Sequence, residues 1–560
     1  SVIPFPDGET YLDASGTPQN IPANAKFLLP GATTLDGWYV VCGKVTLTNR
    51  PTVTGEAHLI LVDGCELNAN SGINVGEGAN LTIYAQSNGS NMGKLTALGN
   101  FNQAGIGGDA GESGGTITIN GGTIAARNDN NGAAGIGGGN EGAGGAITIN
   151  GGTITASGGG GAAGIGGGLF GAGGTITING GTVTAIGESG AGIGSGSFGS
   201  GGTITINGGT ITATYTVLSS GIGAGSGGSN VTLEVHGNAF IIASSISAQT
   251  DKDTWSGVIF EGSAGQVYGN PILETDAEIP GDKTLTILQD RTLTIGNGVT
   301  LTNNGSVDNH GTIQKNGMII NNGTIKNYGT VQGNGAVEGN PILYQSGTVV
   351  TFWKENSQVT EASYGDTITI VATMTQKAQS RAAGAKQVEF SVDGTVFATV
   401  DVENENGQIV AKTQVTLTGD RWTASGSAYE IMADFGGNDN LMAGTGIGQL
   451  KVMPINVQNA TVELSQTTFI YDGTAKTPDV IVKLGKATLT AGTDYEVDYK
   501  DNTNAGQATV TVTGKKNYTG SKTVSFTIAQ SATEFDGGVT VDKQDKTYTY
   551  GDTITVTVTP

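Results

Sequence analysis

The residues of this chain that could do chemistry are few, and most are acidic. Asp63 with Glu66 in VDGCELN, and Asp109 with Glu112 in GGDAGESGG, each set two carboxylates three residues apart; Glu141 takes a loop position comparable to Glu112 one repeat later. Carboxyl groups about 5 to 10 Å apart can act as general acid and base, or as acid and nucleophile, at a glycosidic bond. Neither Lys nor Arg stands beside them in sequence to hold an acidic sugar. The simpler reading makes them solvated loop-tip acids that keep an otherwise uncharged surface soluble. A second set is aromatic. Phe170 and Phe198 lie five residues past Ile165 and Ile193, at one place in successive repeats, and Phe101, Tyr84 and Trp38 could extend them into a strip. Rings beside rows of Thr, Asn and Gly suit the apolar faces and hydroxyls of a glycan. The competing reading is that both phenylalanines clamp glycine loops to the scaffold. The three histidines, His58, His236 and His310, are scattered, and no CxxC or His–Cys spacing occurs, so neither a metal site nor a cofactor is expected.

What must position these side chains is a repeat. Between residues 104 and 214 the chain returns four times to AGIG, a Gly-rich loop, and GG-[TA]-ITINGGT-[IV]. The landmark isoleucines at 106, 136, 165, 193 and 222 are 30, 29, 28 and 29 residues apart. Such periods mark solenoids. In each unit Thr alternates with Ile, one face polar and one apolar; after the Asn-Gly-Gly corner a second strand starts, and Ala-Gly-Ile-Gly supplies a third. Each coil has too few apolar residues to stand alone, so Ile must stack on Ile along the axis, and Asn120, Asn150, Asn179 and Asn207 are expected to form a side-chain ladder. Cys42 and Cys65, 23 residues apart, would then stack on adjacent coils; the expectation is two buried thiols more than a bridge, because parallel side chains oppose the disulfide dihedral.

Composition sets bounds. Among 560 residues, 96 are glycine without a G-X-Y period, which excludes collagen. The 26 basic against 48 acidic residues give a net charge of −22, and no Lys or Arg occurs between Asn128 and Asp251, so there is no electrostatic footprint for nucleic acid. No apolar run is long enough to cross a bilayer, and a chain opening at Ser1 without charged and apolar leader regions is read as one whose export signal lies outside it.

The expected fold class is all-β: a parallel β-helix (solenoid) followed by Ig-like β-sandwich modules. Residues 1–103 read as an N-terminal cap with the first coils, 104–229 as the Gly-rich solenoid, and 230–283 as a less regular β segment containing Trp255. Residues 284–345 form a second solenoid, where Leu301, Val307, Ile313, Ile319, Ile325, Val331 and Val337 recur every six residues, three hexads to a coil. Residues 346–452 and 453–531 show alternating strands at sandwich spacing. At 532–560 a third module opens, because Tyr550-Gly551-Asp552-Thr553-Ile554 repeats Tyr364-Gly365-Asp366-Thr367-Ile368; its unfinished strands predict that more chain follows.

The module 453–531 resembles the bacterial Ig-like repeat of Gram-positive surface proteins through Tyr471-Asp472-Gly473, Gly492-Thr493-Asp494-Tyr495, Asn504-Ala505-Gly506 and Asn517-Tyr518-Thr519-Gly520. Residues 30–230 are similar to the Gly-rich solenoids of large secreted proteins of gut Firmicutes, through GWYVVCGKVTLTN, HLILVDGCELNA and AGIGGG…GGTITINGGT. The resemblance implies an exported, modular, wall-associated protein with Ig-like units as spacers, and no catalytic residue. No LPxTG sorting signal is present. The function expected is adhesion or carbohydrate binding outside the cell, with a glycan or a host or cell-wall surface as partner. One alternative is a stalk or filament subunit that self-assembles through free strand edges. Another is a β-helix glycosidase or lyase using the acids above. Outward Thr rows also invite an ice-binding reading, which Ala146 interrupts.

Overall fold

The computed structural model describes residues 9–129, 132–376, 386–405, 408–437, 441–531, 539–541, 547 and 551–558. Apart from two single-turn 3-10 helices, Lys252–Thr254 and Val457–Asn459, every element among them is a β-strand. The chain divides into two compact units, Ser1–Gln345 with Asp439–Met442, and Ser346–Asn438 with Ala443–Pro560.

The first unit is a parallel β-helix. One sheet of 14 strands runs unbroken from Lys44–Leu47 to Ile342–Tyr344. A second sheet, of 16 strands, holds two strands of each coil, because the long strand Thr52–Leu61 pairs with both Ile73–Asn74 and Asn80–Ala85. The alternation of Thr and Ile works as the sequence implies: in Thr116–Ile119 both isoleucines are buried and the threonines face out. Successive coils pair Ile117, Ile147, Ile176, Ile204 and Leu233 in register, and likewise Ile106, Ile136, Ile165, Ile193 and Ile222. A third ladder runs through Leu95, Ile124, Ile154, Val183 and Ile211. Each fully buried aliphatic side chain contributes about 1.5 to 3 kcal/mol, so the core is a filament whose stability accumulates coil by coil.

Glycine is required where coils touch. At Gly107, Gly137, Gly166 and Gly194, all at positive φ, a Cβ would run into the carbonyl oxygen of the glycine stacked above, which explains why AGIG recurs. The corner asparagines form the expected ladder. The amide of Asn150 donates to Asn120 Oδ1 (2.7 Å), Asn179 to Asn150 (2.7 Å) and Asn207 to Asn179 (2.8 Å).

Residues 230–283 extend the same sheets. Thr232–Val235 and Phe240–Ala243 add to the two stacks; then Gly257–Glu261 and Ala264–Tyr268 pair antiparallel, a hairpin inside an otherwise parallel sheet, with Trp255 buried beside it. Past the hairpin the coil shortens. Leu301 pairs with Ile319 and Ile319 with Val337, Val307 with Ile325, and Ile313 with Val331, so three hexads close one coil. Two further Asn ladders run inside this section: Asn303 donates to Asn321 (2.8 Å) and Asn309 to Asn327 (2.6 Å), all four residues buried.

One expectation about the first coils fails. Cys65 is buried, but Cys42 is exposed and the two are unbonded, because Val41 and not Cys42 takes the inward position at the end of its strand.

The second unit contains two β-sandwiches. Between 346 and 453, one five-stranded sheet centred on Thr367–Gln376 faces another centred on Tyr429–Phe435. Between 461 and 529, a three-stranded sheet faces a four-stranded one, and the hydroxyls of Tyr495 and Tyr499 donate across to the carbonyls of Val480 (2.8 Å) and Pro478 (2.6 Å). Most of 532–560, Tyr550 included, lies outside the described residues; Val539–Val541 pairs with Val556–Val558.

Candidate functional site

After each landmark isoleucine the coil leaves the sheet through a glycine loop. The fifth residue of that loop sits in the left-handed region in every coil: Gly111 (φ 76), Glu141 (φ 65), Phe170 (φ 62), Phe198 (φ 59) and Gly227 (φ 71). Backbone bonds hold the column in register, Gly111 N to Asn140 O (2.8 Å), Glu141 N to Leu169 O (2.9 Å), Phe170 N to Ser197 O (2.9 Å) and Phe198 N to Ser226 O (2.7 Å). Glu141 is therefore in register with Phe170 and Phe198. It does not correspond to Glu112, whose counterparts are Gly142, Gly171 and Gly199.

Two phenylalanines at this position are costly. The left-handed conformation disfavours an L side chain by roughly 1 to 2 kcal/mol, and bulky residues are held there only where something over-determines them. Burial does not do so, since Phe170 is 56% exposed and Phe198 62%. Their rings stack on each other with centroids 5.9 Å apart and planes 26° apart, and the Phe198 ring leans over Gly227 of the next coil. Beside them stands a carboxylate. The Glu141 side chain has no hydrogen-bond or ion-pair partner among the described residues. The neighbouring loop of each coil bonds to this column, through Asn140 N to Asn102 O (3.0 Å), Leu169 N to Gly132 O (2.7 Å) and Ser197 N to Gly161 O (2.7 Å), and it carries Phe101, 71% exposed. Phe170 and Phe198 are the rings that stack on one another, and Phe101 stands on the neighbouring loop.

Trp38 and Tyr84 do not extend it. Trp38 stacks on His58 at 3.9 Å and lies 5.5 Å from Tyr84, while Tyr11 from the Thr10–Leu12 strand covers both rings at 5.4 and 4.7 Å. The phenol of Tyr84 is also within bonding distance of His58 Nδ1 (3.3 Å). Burial pushes the Tyr84 phenol up to about 12 and draws His58 down. These rings close the outer face of the first coils beside the strand Thr10–Leu12, which pairs antiparallel with Pro18–Asn20.

One pair of acids, Asp109 with Glu112, is absorbed by structure, and a basic residue accompanies it. Arg50 is two coils away and 59 residues earlier in sequence, yet its Nε donates to Asp109 Oδ1 at 2.7 Å. Its Nη1 donates to the carbonyls of Ser71 (3.0 Å) and Ala104 (2.8 Å), and its Nη2 to those of Gly107 (3.0 Å) and Gly108 (3.4 Å). Asn74 Nδ2 donates to Asp109 Oδ2 (3.0 Å), and Glu112 accepts from the Asp109 amide (3.1 Å) while lying across Gly76. Burial draws the Arg50 guanidinium below its ordinary value against the opposing pull of Asp109, so the cluster staples three coils. Glu66 pairs with Lys44 at 3.2 Å, and Asp63 receives no partner for its buried Oδ1. Of the set, the Glu141 carboxylate and Asp63 Oδ1 are thus without a partner among the described residues. Among the described residues no three His, Cys, Asp or Glu side chains converge as a metal site would require.

Residues 117–140, 147–169 and 176–197 match the beta helix repeat. No curated protein and no solved structure matches the chain. The second and third matches stop one residue short of Phe170 and Phe198, and the first one short of Glu141, so the shared repeat covers the scaffold and leaves out the column that varies. Such a repeat is compatible with surface proteins and with polysaccharide-active enzymes. Among the described residues no helix is long and apolar enough to cross a membrane.

Proposed function

We propose that the β-helix binds glycans along its loop edge, in an exported protein that works in adhesion, with the sandwich modules as spacers. The observation that carries this reading is the exposed, mutually stacked pair Phe170 and Phe198 in a backbone conformation that Gly111 and Gly227 occupy at no steric cost. Ring faces take the C–H faces of a sugar, and Glu141 accepts from its hydroxyls. The stretch without a cation from Asn128 to Asp251 selects against acidic polysaccharides.

A glycan array tests this. The chain should retain neutral or amine-bearing glycans and pass over polyuronates, and Phe170→Gly with Phe198→Gly should weaken retention of at least one of them fivefold or more. Absence of binding to any mucin, host or plant glycan sinks the reading. One observation favours self-assembly instead: Val217 and Leu218, 50% and 84% exposed, add apolar surface near the same edge. A mass that rises with concentration would support that alternative.

A further inference from the structure

At the Asn-Gly-Gly corner each coil lacks side chains on two successive residues, and stacking turns that gap into a trough. One wall is the asparagine ladder, with Asn179 and Asn207 exposed to it; the other is the row of Thr153 and Thr182, whose hydroxyls have no protein partner among the described residues. The concavity holds about 500 Å³. From Gly151 to Gly237 it spans three coil steps, about 14 Å at normal strand spacing. The loop of Asn88 and Met92 borders one end and Glu274 with Thr275 the other; the Asn238 side chain, accepting from Ile272 N at 2.9 Å, ties that far segment down.

The floor is unusual in its hydrogen bonding. The backbone N–H groups of Gly151, Gly152, Gly180, Gly181, Gly208 and Gly209 donate to no acceptor among the described residues, although Gly208 is buried and the others are half-buried. Unpaired sheltered amides are rare. The corners of the hexad section provide the contrast: there Gly311 N donates to Ile287 O (3.1 Å), Gly323 N to Asn303 O (2.9 Å) and Gly329 N to Asn309 O (3.0 Å). The Asn150, Asn179 and Asn207 amides each spend one N–H on the preceding ladder residue and keep a second.

We infer that this corner trough is a second binding cleft, separate from the loop edge, for an uncharged polyhydroxylated chain lying along the solenoid axis. Ligand oxygens accept from the free glycine and asparagine N–H groups, and Thr153 and Thr182 exchange hydrogen bonds with its hydroxyls. The absence of Cβ atoms lets a sugar ring lie against the peptide floor. An acidic polymer is refused, because no cation lines the trough and Glu274 stands at its end.

Affinity electrophoresis of the whole chain in gels containing soluble β-glucan, arabinoxylan, galactomannan or polygalacturonate tests this. At least one neutral polymer should retard the chain, and Thr153→Val with Thr182→Val, which keeps β-branched strand residues, should weaken retardation at least fivefold. Thr182→Trp, filling the trough, should do the same, while Thr175→Val, at an outward strand position outside the trough, should leave it unchanged. Amide exchange at Gly151, Gly180 and Gly208 should slow when the retarding polymer is added. No retardation by any neutral polymer, retardation by polygalacturonate alone, or retardation indifferent to both Thr variants overturns the inference. Weakening by Phe170→Gly with Phe198→Gly and by neither Thr variant assigns the binding to the loop edge and overturns this cleft; weakening by both Thr variants and not by Thr175→Val supports it.

Discussion

Arg50 shows how one side chain joins coils that sequence separates. All five of its N–H donors are used, four of them on backbone carbonyls. Arg50→Met strips those carbonyls and leaves Asp109 without its cation, and should cost about 3 kcal/mol or more in urea unfolding. Cys65 offers a second residue-level check. Burial raises its thiol from an ordinary 9.0 to about 11, so the folded chain holds a proton that the unfolded chain releases. Its contribution to stability is therefore complete below pH 9 and is lost as the pH rises from about 9 to about 11. At pH 8, iodoacetamide should modify the exposed Cys42 and spare Cys65 until the chain unfolds; equal rates would contradict the burial.

The ladders make a prediction for the elements. Asn321 is buried, accepts from Asn303 and donates to Asn340 O, whereas Asn179 makes the same kind of ladder bond at an exposed corner. Asn321→Ala should cost about 2 to 3 kcal/mol and Asn179→Ala under about 1 kcal/mol, because only the first leaves buried partners unsatisfied. Equal costs would refute that account. The coil itself was legible in the sequence, since Ile117, Ile147, Ile176 and Ile204 and the asparagines after them recur at near-constant spacing, and a repeat one coil long is a contact. The 18-residue coil followed from the hexads in the same way. What was not legible depends on register between different loops or on backbone path. The Arg50–Asp109 contact crosses two coils of unequal length, and the equivalence of Glu141 with Phe170 turns on a single residue of offset. The left-handed φ at Phe170 has no mark in composition. The inner Asn303 and Asn309 ladders carry a mark in the sequence, an Asn closing four of the hexad strands, but Lys315 closes the strand between them and breaks the period.

At the scale of the whole molecule, charge sets the partners. A net charge of −22, with no cation over more than one hundred residues of solenoid, should keep the chain from heparin and polygalacturonate at any ionic strength near physiological, and added salt should not create that binding. The central claim is that this scaffold folds without the rings it displays at its loop edge. Thermal unfolding of Phe170→Gly with Phe198→Gly tests it most directly, because glycine relieves roughly 1 to 2 kcal/mol of backbone strain at each site and loses about 0.5 to 1 kcal/mol to chain entropy. The prediction is a melting temperature equal to or above that of the parent chain, with glycan retention weakened; a marked fall in melting temperature would show that the phenylalanines clamp the loops, and would contradict the binding edge.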